Sequence, residues 1–185
     1  MDSIELMVKE HENILKFISV IRKACCRILE GSPVPVEDFT AMISFARTYA
    51  DTHHHGKEEE ILFHNMIEHI GQPATGLIQH GMLVEHDMGR FFISRLEEAL
   101  TRYAADPNTE NKLDIIMYSA GWADLLTRHI EKENKVAYVF ARRELPPEVL
   151  HNIDKKVQVF EQEAAHRNVQ EKSLQLLKDL TAKYC

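Results

Sequence analysis

A shift of 75 residues lays one half of this sequence over the other. His54 falls on His129 and Glu58 on Glu133, so both halves carry a His and a Glu four residues apart. Glu10-His11 falls on Glu85-His86 by the same shift, and Met7, Phe17, Ser44 and Lys57 meet their own residue type at Met82, Phe92, Ser119 and Lys132. This period is long for a solenoid unit and suits a helical hairpin written twice. Side chains four apart on a helix lie nearly one above the other, so each copy aims an imidazole and a carboxylate the same way. Either pair alone reads as an ordinary surface pair. The shared offset is what sets them apart.

The apolar pattern places these residues on helices. Residues 3–30 carry Ile4, Met7, Val8, Ile14, Leu15, Ile18, Ile21, Cys25 and Ile28 at helical spacing, with His11 inside the stripe, and Gly31-Ser32-Pro33-Val34-Pro35 ends it. A second helix over about 37–69 aligns Phe39, Ile43, Ala46, Ala50, His54, Glu58 and Ile61, and Gly71 to Gly76 reads as a hinge. A third helix, about 77–105, shows Met82, His86, Ile93, Leu96 and Leu100 on one side. Asn108 or Thr109 caps a fourth over about 110–143, facing inward with Ile115, Tyr118, Trp122, Leu126, His129, Glu133, Val136 and Phe140. The expected fold is all-α: an up-down-up-down four-helix bundle over 1–145, then a C-terminal helical extension over 146–185. That extension contains no copy of either motif, breaks near His166-Arg167-Asn168, and packs on the bundle or on a partner subunit.

At 185 residues and 44% hydrophobic the chain supports one well-buried core. A net charge of −7 and the lack of a dense Lys/Arg block argue against a nucleic-acid partner. The acidic start Asp2-Ser3-Ile4-Glu5 does not resemble a signal peptide, and no apolar run is long enough to cross a membrane, so a cytoplasmic protein is expected. Cys25, Cys26 and Cys185 show neither metal-type spacing nor a disulfide framework.

Four helices thus each bring a His to an apolar interior, and two bring a Glu. A single such His is ordinarily satisfied by a backbone carbonyl, but two unpaired buried carboxylates would each cost several kcal/mol and repel one another. Divalent cations between them remove both penalties. Taking His11, His54, Glu58, His86, His129 and Glu133 as ligands gives each of two metals two His, with both Glu bridging. Imidazole and carboxylate ligation without thiolate suits iron, then manganese; zinc tolerates the ligands but prefers four-coordinate sites.

His11, His54-x-x-x-Glu58 followed by Ile61-Leu62-Phe63, the segment Met82-Leu83-Val84-Glu85-His86-Asp87-Met88-Gly89-Arg90, and His129-x-x-x-Glu133 resemble the haemerythrin-like (HHE cation-binding) family over about residues 5–143. The resemblance implies a bundle holding two Fe ions joined by an oxo or hydroxo bridge, with His11, His54, His86 and His129 as terminal ligands and Glu58 and Glu133 as bridges. It implies O2, H2O2 or NO as the small ligand. The sequence departs from the family's oxygen carriers, in which the third helix supplies two His a turn apart. Here Met82 and Arg90 flank His86 at that spacing. The departure favours peroxide, oxygen or nitric-oxide chemistry, or iron sensing, over transport. A sensing or storage module with the same di-iron site, and a helical interaction protein with structural zinc, are the competing readings.

Successive helical residues point about 100° apart, so His53, His54 and His55 are not all expected to face inward. His54 is preferred because it alone puts Glu58 in register with His129 and Glu133; His55 with Glu59 is the alternative pair. His53, Glu59 and Glu60 read as a solvated face, and His64, His69, His151 and His166 as surface residues; His80 reads the same way, with an extra ligand at the start of the third helix as its alternative. Glu10 and Glu85 are either hydrogen-bond partners of ligands or surface charges. Asn134 stands where the first copy has Glu59.

Overall fold

The computed structural model describes residues 2–185; residue 1, part of the expected 1–145 unit, lies outside them. Among the described residues there are six helices and no strand. α1 (Ser3–Leu29) begins where the Asp2 carboxylate accepts the Glu5 N–H at 2.9 Å, which satisfies one of the free donors of the first turn. α2 covers residues 36–70, α3 72–105 and α4 109–144; α5 (Pro147–His166) and α6 (Val169–Tyr184) form a C-terminal hairpin. α1 to α4 make the bundle, each packed along its chain neighbour and α4 also along α1. Asn108 caps α4 through its side chain, accepting from the Asn111 N–H at 2.8 Å.

Two apolar clusters fill the interior, and a layer of buried His and Glu separates them. One cluster holds Ile14, Phe17, Tyr49, Ala50, Ile93, Leu126 and Ile130; the other holds Met7, Ile61, Leu62, Ile78, Met82 and Ala137. On every bundle helix the chain therefore passes from one cluster to the other through its charged residues. The C-terminal hairpin bridges the same boundary. α5 adds Val149, Ile153 and Val157 to one cluster and α6 adds Leu177, Leu180 and Tyr184 to the other. It is tied down by Ser3, whose N–H and hydroxyl donate to Asp154 Oδ1 at 2.8 and 2.5 Å, and by Tyr184, whose hydroxyl donates to Asp38.

The structure corrects three expectations. The hinge expected over Gly71 to Gly76 shrinks to Gly71 alone, at φ +77°, because Gln72–Leu77 is already helical with Pro73 in its first turn. Val136 is 49% exposed and Phe140 only half-buried, while Ala137, Tyr138 and Ala141 face inward instead. The cause is a π-helical stretch, Glu133–Ala137, whose wider turn inserts a residue and shifts the inward phase by one. On α1, Leu15 is 39% exposed and Val8 half-buried, so the buried stripe is narrower than the apolar spacing suggested. α2 and α3 carry π-helical stretches too, at Ala46–His55, Glu58–Phe63 and Ile78–Met82. All four border the polar layer.

No helix among the described residues is long and apolar enough to cross a membrane. Phe17 is fully buried, with its ring 4.2 Å from that of Phe45 and edge-on to Trp122. Phe17→Ala is expected to cost about 3–5 kcal/mol of unfolding free energy. Leu29→Ala, at a site 72% exposed, should stay within about 0.5 kcal/mol. Urea unfolding followed by circular dichroism measures both.

Candidate metal centre

Four imidazoles in the polar layer are oriented from outside by their Nδ1 atoms. Glu10 Oε2 lies 2.8 Å from His54 Nδ1, and Glu85 Oε2 lies 2.9 Å from His129 Nδ1. Glu59 Oε1 lies 2.6 Å from His86 Nδ1, and Asn134 Oδ1 lies 2.9 Å from His11 Nδ1. These acceptors hold the ring protons on Nδ1 and leave every Nε2 as a bare lone pair. The four contacts obey the repeat: Glu10 to His54 becomes Glu85 to His129, and Glu59 to His86 becomes Asn134 to His11.

The inner nitrogens meet in pairs, His11 Nε2 to His54 Nε2 at 2.8 Å and His86 Nε2 to His129 Nε2 at 3.0 Å. Glu133 lies between the pairs, with Oε2 3.2 Å from His11 Nε2 and Oε1 3.1 Å from His129 Nε2. Glu58 Oε2 is 3.6 Å from both His54 and His86 Nε2, and its Oε1 accepts from the Tyr138 hydroxyl at 2.5 Å. Both carboxylates are fully buried, and Glu58 Oε2 and both oxygens of Glu133 have no hydrogen-bond partner among the described residues. Acceptors face acceptors throughout, which is unfavourable in a dry interior unless cations lie among them. An ion about 2.1 Å from two nitrogens at a right angle holds them about 3.0 Å apart. The paired imidazoles fit that spacing.

Ligand atoms of His11, His54, Glu58 and Glu133 all lie within 4.8 Å of one another, and those of His55, His86 and His129 do likewise. All six residues singled out from the sequence thus converge on one buried layer. A third group, Glu10, His53 and Glu161, is of another kind, because a cation already sits in it. Lys57, fully buried, donates to Glu10 and to Glu161 Oε1 at 2.5 Å, and its Nζ lies 3.1 Å from His53 Nε2.

The family profile of the Hemerythrin HHE cation binding domain matches residues 2–141. The chain belongs to this family. The same comparisons found no match among curated proteins or solved structures. Hemerythrin HHE domains bind metal cations, and the His/Glu clusters here fit such a site.

Electrostatics in this HHE layer divides the two carboxylates. Burial pushes Glu58 well above the usual carboxylate range, and neighbouring Glu133 pushes it further. Burial acts on Glu133 in the same sense; positive charge on His129, or a proton donated by His11 or His86, outweighs it and holds that group well below the usual range, the role a cation would take among bare lone pairs. Burial and His11 bring His54 down to about 4, so its lone pair is free at neutral pH. For Glu10, burial is outweighed by hydrogen bonds from His53 and His54 and by the Lys57 charge, and it stays ionised. The Cys25 thiol, pushed up to about 11 mainly by burial, is no nucleophile at neutral pH.

The sequence misjudged the residues around the six. His53, His54 and His55 are all buried, because each faces a different neighbour: His53 the C-terminal hairpin at Phe160 and Glu161, His54 the ring of His11, His55 the ring of His86. His53 is therefore not on a solvated face. Nor is Glu59, which pairs with His86 and Arg90 and not with His55. Glu60 and the five remaining His are exposed, as read. Tyr138 gave no signal, since the π-helical phase shift that turns it inward has no sequence mark.

Two outcomes follow. Lys57→Met should cost about 3–5 kcal/mol by stranding Glu10 and Glu161. Its counterpart Lys132→Met, at a side chain 44% exposed and paired with Glu85, should cost about 0–1 kcal/mol; urea titration compares them. Burial and Glu133 favour a proton on Glu58, and a metal ion taking its place would displace it, so loading is expected to release protons and to weaken as pH falls. Calorimetry in two buffers of different ionisation enthalpy reads the release directly.

Proposed function

We propose that this HHE domain holds two metal ions, iron foremost with manganese or zinc as substitutes, and uses them to bind or reduce O2, peroxide or NO. In this reading residues 1–145 form the metal-holding bundle and 146–185 a helical cover. His11 and His54 hold one ion, His86 and His129 the other, and Glu58 and Glu133 span the two. The observation that carries the reading is Glu133, each of whose oxygens lies against a different imidazole pair, at 3.2 and 3.1 Å. Nitrogen and oxygen donors without thiolate match iron better than a structural zinc site.

When bound, the ions supply Lewis acidity and one-electron redox chemistry. The chain's own residues do the rest. Glu10, Glu59, Glu85 and Asn134 fix the ring orientations and raise the basicity of the inner nitrogens. Tyr138, buried and hydrogen-bonded to Glu58, holds that carboxylate in place. Two imidazoles on either side would hold one ion each with few protein donors, a set that favours turnover over carriage.

Protein purified aerobically is expected to contain about two metal ions per chain, with the near-ultraviolet charge-transfer absorption of ferric iron. One zinc per chain and no such absorption would remove the reading. His86→Ala and Glu133→Ala should each lose at least one metal by elemental analysis, and unchanged content in either would overturn the ligand assignment.

A further inference from the structure

Burial and the central carboxylates do not rank the two imidazole pairs. His11, His54, His86 and His129 are each 1% exposed. Glu133 lies 3.2 Å from a nitrogen of one pair and 3.1 Å from a nitrogen of the other, and Glu58 Oε2 lies 3.6 Å from a nitrogen of each. What separates the pairs is the group behind each ring. On the His86–His129 side both Nδ1 atoms face carboxylates, Glu59 at 2.6 Å and Glu85 at 2.9 Å. Each of these is held by a cation, since Arg90 donates to Glu59 at 2.6 Å and Lys132 donates to Glu85. On the other side only His54 has such a partner, Glu10 at 2.8 Å, to which Lys57 donates. His11 faces the neutral amide oxygen of Asn134 at 2.9 Å.

The 75-residue shift shows that two residues differ together. Glu59 falls on Asn134, and Arg90 falls on Leu15, an uncharged side chain 39% exposed. Carboxylate and cation are thus both missing behind His11, and neither is left stranded. A carboxylate that accepts the Nδ1 proton makes the Nε2 lone pair of the same ring a stronger donor, and a neutral amide oxygen does so less. Partners of this kind are worth about 10–100-fold in metal affinity.

We infer that Asn134 is a positioning residue that ranks the two metal positions, so that the His86–His129 position holds its ion more tightly and fills first. The His11–His54 position fills second. The inference rests on the two-ion reading of the layer and adds an order to it. A cavity of about 300 Å3, lined by His86, Arg90 and Trp122 among others, opens to solvent on the His86 side. Higher affinity and the solvent-open face therefore coincide at one position.

The test titrates metal-free, full-length protein with ferrous iron in the absence of oxygen, at a single pH, by calorimetry. Two steps about tenfold or more apart are expected. Asn134 is half-buried, and Glu59 shows that a carboxylate is accommodated at the matching position. Asn134→Asp should tighten the weaker step about tenfold, leave the tighter one unchanged and so narrow the gap. Damage to the fold does not tighten binding, so a purely structural role for Asn134 would not give this result. Leu15→Arg combined with Asn134→Asp supplies the cation that Glu59 has and should narrow the gap likewise. Glu59→Gln leaves Arg90 its Asp51 partner at 2.9 Å and should loosen the tighter step about tenfold, narrowing the gap from the other side. If the positions were equal and only repulsion between the ions split the steps, Asn134→Asp would tighten the first step and widen the gap. A gap widened or unmoved by Asn134→Asp, alone and with Leu15→Arg, would overturn the inference. Fewer than two ions bound by the parent protein would instead remove the two-ion reading beneath it.

Discussion

Everything in this molecule is arranged around two carboxylates that cannot both be ionised where they are without cations. Glu58 and Glu133 are fully buried in a layer whose other inward atoms are four imidazole lone pairs. The outer ring of acceptors enforces this, because each holds a ring proton on the far side of its imidazole and so denies the carboxylates any donor. Among the described residues only Tyr138 offers one, to a single oxygen of Glu58. Such a layer is tolerable when it binds cations and costly when it does not, which couples metal occupancy to the stability of the bundle.

The duplication gives the layer an approximate two-fold pattern, and the rest of the chain breaks it. Lys57 and Lys132 occupy matching positions and both pair with the carboxylate that orients a histidine, Glu10 or Glu85. One lies under α5 with Glu161 as a further partner; the other stands 44% exposed. The His11–His54 side is thereby sealed with a desolvated salt-bridge network, while the His86 side meets a solvent-open cavity. The two imidazole pairs, with near-identical donors, thus sit in different dielectric surroundings, and electrostatic interactions weigh more on the sealed side.

The π-helical stretches serve the same layer. A bundle of straight α-helices keeps one inward phase, and the four stretches bordering the polar residues allow that phase to change as the chain passes from one apolar cluster to the other. On α4 the change brings Tyr138 beside Glu58 in place of a residue in strict α-helical register. On α2 it accompanies three successive buried histidines, with three different roles.

The sequence by itself determined the four helices, their order and the six residues that meet in the polar layer, because a 75-residue repeat and four-residue spacings survive as patterns in one dimension. It also separated His54 from its neighbours, since only the repeat distinguishes it. The roles of His53, His55, Glu59 and Tyr138 were decided by tertiary structure alone. His53 is buried because α5 and α6 close over α2, and His55 because α3 stacks His86 on it. Tyr138 turns inward because Glu133–Ala137 is wound as a π-helix. Local spacing records which way a residue points on its own helix, whereas burial on a helix's other faces depends on what packs there, and that is set by contacts between segments far apart in the chain.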